Sequence, residues 1–313
     1  MIEVLKKYLM LGLLLVIVPV SSLTADNYFI KNVQLGNDTI RIEEIAKQGM
    51  IPEQPPNQPE PSLKIVVGGD VLLDRSVGRL IDRQGNDSIW GDVKSILNSA
   101  DITMVNLENP LSHNGSREKD KQFTFRGKPE YVKALKSAGI DIVSLANNHI
   151  IDYGEIALLD TMKHLDGAGI LYAGAGQNED TASMPAYFDK GKIISAYLSS
   201  SHIIPFAHWR AGKGKPGVAS AYDPARLLTE VKMASEKADV VLVYLHWGEE
   251  LNTQPVQYQK KLAWMLIDAG ADLVVGSHPH VIQGLEFYRG RLIAYSMGNL
   301  VLQTAPERQC CLV

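Results

Sequence analysis

Two histidines separated by one proline follow a short apolar run in the segment DLVVGSHPH, residues 272–280. His278 and His280 are two of only eight histidines in the chain. Imidazole nitrogens are common metal ligands, and the proline restricts the backbone between the two rings. The spacing therefore predicts that both rings reach one site, where they could bind adjacent ions. The alternative is a polar loop that carries two histidines by chance.

Other side chains that could bind metal also lie at or just after the carboxyl ends of apolar runs. They are Asp70, Glu108, Asn148, His149, His246 and Asn299. One such residue is more often structural, but ligands bind at this edge of an open α/β sheet, so the recurrence predicts one shared site. Carboxylate, amide and imidazole ligands without thiolates suit divalent Mn, Fe or Zn. A pair of ions could activate a water molecule between them.

The apolar runs alternate with amphipathic stretches from residue 64 onward. The predicted strands cover residues 64–70, 101–108, 141–149, 192–198, 239–248, 272–280 and 291–299. The predicted helices cover residues 88–99, 129–138, 154–167, 224–237 and 256–270. Nearly continuous apolar strands between helices are typical of an α/β protein whose sheets are covered on both faces.

Composition excludes some classes of protein. The chain has 313 residues, of which 45% are hydrophobic and 21% charged, as in globular proteins. Its formal net charge is -4, and no basic stripe is present, so nucleic acid is not expected as a partner. The two cysteines, Cys310 and Cys311, are adjacent and cannot link distant parts of the fold.

The first residues are typical of an export signal. Lys6 and Lys7 precede an uncharged run from Tyr8 to Ala25 that ends in small residues. We expect residues 1–25 to be a signal peptide or a membrane anchor, because the strongly apolar part is short for a membrane span. The location is then periplasmic or otherwise extracytoplasmic, or membrane-anchored facing outside. The intact mass of the exported product would distinguish cleavage from retention.

Residues 26–61 form an N-terminal segment that ends in the proline-rich stretch IPEQPPNQPEP, for which we expect an extended, semi-rigid spacer. Residues 62–313 then form the functional domain. Its sequence motifs resemble a known family, the bacterial capsule synthesis proteins of the CapA (PgsA) type, associated with poly-γ-glutamate capsules. The motifs are GGDVLLDR, NLENPLS, FTFRGKPE, SLANNHIIDYG, YLHWGEE, GSHPHVIQGLE and YSMGN, in this order. Relatives usually continue further past the last motif, so the resemblance implies that the C-terminus is shortened.

That family is similar to the calcineurin-like metallophosphoesterases. The resemblance implies a four-layer α/β/β/α sandwich of two mixed sheets around a two-metal site. Asp70 would take the place of the first metal-binding aspartate, and Glu108 that of the carboxylate that bridges both ions. The remaining ligands would be Asn148, His246 and His278 on one ion and His280 on the other.

The resemblance also implies roles for residues around the metals. His149 would protonate the leaving oxygen or stabilise the transition state, with Asp152 orienting its loop and Asn299 supporting the ligands. Arg126 in FTFRGKPE could bind an anionic substrate through its planar guanidinium, although a structural ion pair is the alternative.

Two residues depart from the phosphoesterase pattern. Asp70 is followed by Val71 and Leu72, where these enzymes usually have Asp-x-His, and Glu108 replaces an aspartate. The number of ions therefore stays open at this stage.

Two functions are compatible with the sequence. The first is an exported metal-dependent hydrolase, acting on a phosphoester or an anionic polymer of the cell envelope. The second is a non-hydrolytic component of capsule assembly or export that binds polyglutamate. In either case, other membrane proteins of capsule synthesis are candidate partners.

Overall fold

The computed structural model of the chain describes residues 13–19, 32–35, 38–41 and 62–302. Its strands, in chain order, are β1 (Leu13–Pro19), β2 (Asn32–Leu35), β3 (Asp38–Arg41), β4 (Ser62–Val71), β5 (Ile102–Leu107), β6 (Ile142–Ser144), β7 (Leu171–Ala173), β8 (Ala175–Gly176), β9 (Ala186–Asp189), β10 (Ile194–Ser201), β11 (Gly217–Val218), β12 (Val240–His246), β13 (Leu273–Ser277), β14 (Leu285–Tyr288), β15 (Arg291–Ala294) and β16 (Asn299–Val301).

The α-helices that the structure describes lie between these strands. They are α1 (Arg75–Gln84), α2 (Val93–Leu97), α3 (Val132–Ser137), α4 (Gly154–Ala168), α5 (Glu179–Ser183), α6 (Ala225–Ser235) and α7 (Gln257–Asp268). Short 3₁₀ turns occur at Pro129–Tyr131 and Ala207–Trp209. Among the described residues, no helix is long and apolar enough to cross a membrane.

Two mixed sheets form the centre of the fold. The first has the strand order β3-β2-β1-β4-β5-β6-β7, with β16 parallel to the end of β4. The second has the order β14-β15-β13-β12-β10-β9. Strands β4 to β7 run parallel in the first sheet, and β10, β12, β13 and β15 run parallel in the second. Parallel strands place their carboxyl ends at one edge of each sheet.

Three apolar cores show that the fold has four layers. On β4, Ile65 and Val67 pack against Tyr244 and Val275 of the second sheet, which forms the core between the sheets. Val66, on the opposite face, belongs to a core with residues of α1, α3 and α4. The outer face of the second sheet packs on α6 and α7 in a third core. This arrangement is the predicted α/β/β/α sandwich.

An aspartate at the start of a parallel strand recurs four times and fixes the strand register. Each aspartate side chain accepts a backbone N–H from one residue of the neighbouring strand at 2.8 to 2.9 Å, and the aspartate N–H donates to the carbonyl of that same residue. The pairs are Asp101 with Lys64, Asp141 with Thr103, Asp239 with Ile194, and Asp272 with Val241. Each pair sets where two strands begin relative to each other. The opposite, carboxyl ends are thereby held in fixed positions.

The helix and strand predictions differ from the structure in places. Of the helix predicted over residues 88–99, only Val93–Leu97 (α2) is helical, because a turn with Gly91 at φ 49° precedes it. Helix α1 was not predicted, since of its ten residues only Val77, Gly78 and Ile81 are buried. The predicted strand over 141–149 ends at Ser144. Beyond it, the Asn147 side chain accepts the N–H groups of His149 and Ile150 and turns the chain.

The predicted leader and spacer are described only in part. Within residues 1–25, the structure describes Leu13–Pro19, which pairs antiparallel with β4 as β1. The rest of the leader, the proline-rich stretch 52–61 and the C-terminal residues 303–313 lie outside the described residues. Export and the domain boundaries therefore stay predictions.

Gly276 in β13 offers a test of the packing behind the site edge. A Cβ at this position would lie 2.1 Å from Nε1 of Trp247 and 2.3 Å from the carbonyl oxygen of Tyr295. These two atoms form a buried hydrogen bond of 2.8 Å, which the added methyl group would break. We expect Gly276→Ala to lower the free energy of unfolding by about 1–3 kcal/mol in urea denaturation.

Gly284→Ala is the matched control, because no atom lies within 4 Å of its added Cβ. Its free energy of unfolding should stay within about 0.5 kcal/mol of wild type. Equal losses in both variants would contradict the packing described.

Candidate functional site

The carboxyl ends of the two sheets bring together the polar residues that follow them. Asp70 lies at the end of β4, Glu108 directly follows β5, and His246 is the last residue of β12. Ligand atoms of these three side chains all lie within 4.8 Å of one another, and all three residues are buried. Such a group of carboxylates and imidazole could hold a metal ion.

The two carboxylates share one amide donor. Asn106 Nδ2 donates to Oδ1 of Asp70 at 2.8 Å and also to Oε2 of Glu108. Asn147 in turn donates to Oδ1 of Asn106 at 3.0 Å and to the carbonyl of Leu107 at 2.8 Å. Neither asparagine was predicted from the sequence as part of the site. Asn106 has a sequence signal, because residues two apart on a strand point to the same face, as Asn106 and Glu108 do.

His246 contacts side chains from both sheets. Its Nδ1 lies 3.1 Å from the hydroxyl of Ser277 at the end of β13. Its Nε2 lies 2.9 Å from Oδ1 of Asn148 and 3.7 Å from Oε1 of Glu108. Asn148 and His246 were predicted to bind the same ion, and in the structure the two atoms that could bind it, Oδ1 of Asn148 and Nε2 of His246, are neighbours.

The loop with the two histidines has an unusual backbone. His278 and His280 have φ values of 98° and 57°, in the left-handed region that residues other than glycine rarely occupy. This backbone ends β13 at Ser277, so the predicted strand over 272–280 was too long. Nδ1 of His280 lies 2.8 Å from Oδ1 of Asn299 and 3.3 Å from Oδ2 of Asp70. The His278 ring lies 4.8 Å from that of His246. Backbone strain of this kind is typical of functional sites.

His149 belongs to a second cluster beside the carboxylates. Its Nδ1 lies 2.7 Å from Oδ2 of Asp152, the partner predicted for this loop. The ammonium of Lys121 donates to Oδ1 of Asp152 at 2.6 Å and to the carbonyl of Asn148, and it lies 2.8 Å from Nδ1 of His149. The ring of Phe125 lies 4.7 Å from that of His149. Lys121 was not predicted from the sequence, because it lies in a loop without a recognisable pattern.

Burial and charge shift the pKa values of the cluster in opposite directions. Burial raises the pKa of Glu108 well above its usual value, and the charge of Asp70 adds to this. Burial also opposes ionisation of Asp70, but the hydrogen bond from His280 and the charges of His246 and His280 outweigh it, so this pKa is lowered. Burial and the neighbouring imidazoles lower the pKa of His278 to about 3 and that of His246 well below its usual value. The pKa of His280 is raised to about 9, because its bond and charge interaction with Asp70 outweigh burial.

Two buried atoms indicate that this donor set fits a divalent cation. Oε1 of Glu108 and Nδ1 of His278 are buried and have no hydrogen-bond partner among the residues that the structure describes. Buried polar atoms without partners are unfavourable, and both are atom types that bind metal. The donors are oxygens and nitrogens throughout, which matches Mn, Fe or Zn.

The predicted substrate ligand Arg126 lies at the edge of this region. Its guanidinium carbon is 4.1 Å from the centre of the Tyr153 ring, and its backbone N–H donates to Oδ2 of Asp74 at 3.1 Å. Burial lowers the pKa of the neighbouring His149 more than its bond to Asp152 raises it. No contact in the structure tests a substrate role for Arg126.

Comparison with known proteins matches the part of the chain that carries these motifs. The sequence profile of the family described as "Bacterial capsule synthesis protein PGA_cap" matches residues 64–304. The chain is 35% identical over 246 residues to the capsule biosynthesis protein CapA of Bacillus anthracis, covering 76% of this chain and 59% of that protein. It is 33% identical over 234 residues to the PGA biosynthesis protein CapA of Bacillus subtilis (strain 168), covering 74% of this chain and 61% of that protein. The chain thus spans about three fifths of the length of these relatives.

Solved structures share the fold only distantly. A novel phosphatase from Mycoplasma pneumoniae aligns with a TM-score of 0.47 and 16% identity, over 75% of this chain and 72% of its own. A hypothetical protein from Thermus thermophilus aligns with a TM-score of 0.44 and 17% identity, over 69% of this chain and 72% of its own. At these scores neither structure carries an argument about the site.

The buried carboxylate pair predicts how metal binding responds to mutation. We expect the full-length chain to bind Mn²⁺, and Glu108→Gln to weaken binding at least about 10-fold, since removing even a partner of a metal ligand has such an effect. Equilibrium dialysis with elemental analysis measures this directly. His164→Gln, on α4 beside Asp160, is the control and should bind as wild type does. Equal affinity in wild type and Glu108→Gln would rule out this metal site.

Proposed function

The chain belongs to the bacterial capsule synthesis protein family PGA_cap, and we propose that it is an exported, CapA-like protein of poly-γ-glutamate capsule biosynthesis with a metal-dependent, phosphoesterase-like hydrolase site. The observation that carries the hydrolase proposal is the buried group of Asp70, Glu108 and His246. A histidine paired with an aspartate, His149 with Asp152, lies beside it. A capsule component that only binds polymer has no need of this combination.

The proposed metal centre uses the residues predicted from the sequence. Asp70, Glu108, Asn148, His246, His278 and His280 would hold one or two ions, of Mn, Fe or Zn. When bound, such ions activate water and neutralise charge on a phosphoryl or acyl group. Asn106 keeps both carboxylates in place through its shared amide, and Asn299 orients the ring of His280. Ser277 does the same for His246.

His149 is the proposed proton donor. As an acid the ring carries a proton on both nitrogens. Nδ1, 2.7 Å from Oδ2 of Asp152, donates to that carboxylate, and Nε2 gives its proton to the leaving oxygen. Lys121 fixes the other oxygen of Asp152, so the ring is held in one orientation. His149 also lines the pocket that contains Glu108 and His280.

The proposed substrate is a phosphoester or an anionic polymer of the envelope, and the proposed partners are other capsule-synthesis membrane proteins. Two relatives are named for capsule or PGA biosynthesis, which supports polyglutamate as the polymer concerned. The predicted leader at residues 1–25 supports a function outside the cytoplasm.

One observation favours the alternative, a non-hydrolytic assembly or export component that binds polyglutamate. Leu72 lies at the position where phosphoesterases of this type have a histidine, and it lines the pocket. An apolar side chain there removes one imidazole from the metal site, which would weaken one of two ion positions.

Turnover distinguishes the two functions. With Mn²⁺ present, we expect the full-length protein to hydrolyse a generic aryl phosphoester or to shorten poly-γ-glutamate. His149→Ala should lower kcat about 10²- to 10⁴-fold, because general acid catalysis contributes that much. Its Mn²⁺ content should not change. Both substrates are followed in parallel, by release of the aryl alcohol and by polymer length.

His164→Ala serves as the control, because its partly exposed ring pairs with Asp160 and does not line the pocket of His149. It should keep wild-type kcat. If wild type and His149→Ala show the same background rate on both substrates, the non-hydrolytic function is the correct one.

A further inference from the structure

A small pocket opens beside the histidines and carboxylates, and one of its walls was not predicted from the sequence. The pocket has a volume of about 90 Å³, and Arg75 and Phe125 line it together with Glu108, His149 and His280. One water molecule needs roughly 10–15 Å³ by the same kind of measure. The pocket therefore has room for a group the size of a phosphate or a carboxylate.

Arg75 presents an uncommitted positive charge to this pocket. Its guanidinium carbon lies 4.6 Å above the ring of Phe125, and that ring contacts His149. Within residues 62–302, no carboxylate forms an ion pair with the Arg75 side chain. Stacking on an aromatic ring occupies only the flat face of a guanidinium. Its N–H edge, which matches the two oxygens of a phosphate or carboxylate, is left available.

The backbone holds Arg75 in an unfavourable conformation. Its φ is 51°, in the left-handed region, although it is the first residue of α1. Asp74 fixes this turn, because Oδ1 accepts the N–H of Arg75 at 2.7 Å and Oδ2 accepts that of Arg126. A bulky residue at positive φ is retained where the surrounding structure imposes it, often at ligand sites. Glycine would fit this backbone better, so we attribute the arginine at this position to a function of its side chain.

Arg126 provides a comparison, because its backbone N–H donates to the same aspartate from another loop. Its guanidinium stacks on Tyr153 at 4.1 Å, and it is not among the residues that line the pocket. The two arginines share Asp74 and each covers an aromatic ring, but only Arg75 faces the pocket of His149.

We propose that Arg75, stacked on Phe125, forms an oxyanion subsite that binds a phosphoryl or carboxylate group of the substrate next to His149. The inference deepens the proposed function and rests on it for the identity of the reacting site. The charge of the buried Asp70 repels an anionic substrate, and Arg75 supplies positive charge that is independent of any metal. A phosphoester and a γ-linked glutamate residue offer the same paired oxygens, so both are candidate sources of the bound group.

Calorimetric titration of the Mn²⁺-loaded, full-length protein tests the subsite, with inorganic phosphate and with poly-γ-glutamate as separate probes. Arg75→Gln and Arg75→Gly should each weaken binding of at least one probe about 10- to 100-fold, the effect of losing a charge-assisted hydrogen-bonding pair. Arg75→Gly relieves the positive φ, so its fold and Mn²⁺ content should match wild type. Arg79→Gln is the matched control, because Arg79 is an exposed arginine on the same helix that does not line the pocket, and it should change affinity less than about threefold.

The outcomes separate this inference from the hydrolase proposal. Loss of phosphate binding alone identifies a phosphoryl subsite, and loss of polymer binding alone identifies a carboxylate subsite. The same losses in a protein without turnover would support the subsite while refuting the hydrolase. Wild-type affinity in both Arg75 variants, an equal loss in Arg79→Gln, or no binding of either probe by wild type would overturn the subsite. Where wild type turns over, unchanged KM in the Arg75 variants would do so as well.

Discussion

The structure depends on two carboxylates buried against each other at the edge of two sheets. Asp70 and Glu108 are both fully buried and accept hydrogen bonds from the same amide of Asn106. Burying charged groups costs several kcal/mol each, and two like charges in contact cost more. The raised pKa of Glu108 expresses this cost, with burial the larger cause and Asp70 the next. Three imidazoles lie close to the pair. Protons on these imidazoles, or a bound cation, would supply the positive charge that offsets the two carboxylates.

The rest of the fold makes this arrangement possible. Reciprocal bonds from Asp101, Asp141, Asp239 and Asp272 set the starts of the parallel strands, and continuous apolar packing on both faces keeps those strands rigid. Rigid strands hold their carboxyl ends in fixed positions, so ligand atoms from distant parts of the chain can meet. Positive φ values at residues other than glycine occur among the described residues in short turns, at Arg75, Leu251 and Arg289 and in the loop of His278 and His280. The turns at Arg75 and at the two histidines direct side chains at the site, and the packed layers behind them offset the cost.

The alternation of apolar runs and amphipathic stretches predicted the α/β fold, and the resemblance to the metallophosphoesterases implied its four layers. The candidate site residues were predicted from their positions at the ends of the apolar runs. Apolar runs ended where ligand side chains began, and parallel strands bring those ends together. Side chains whose importance comes from three-dimensional contacts were not predictable in the same way. Asn106 matters because it spans two carboxylates, Lys121 because its loop folds back onto Asp152, and Arg75 because a strained turn directs it at Phe125. Helix α1 escaped prediction for a related reason, since its few buried residues give a weak apolar pattern.

We infer above all that Asp70, Glu108 and His246 coordinate a divalent ion, and diffraction from Mn²⁺-soaked crystals at the manganese absorption edge would detect that ion. We expect an anomalous peak within coordination distance of an oxygen of Asp70, an oxygen of Glu108 and a ring nitrogen of His246. A map with no peak between these three side chains, at Mn²⁺ concentrations that label other sites on the protein, would refute this inference.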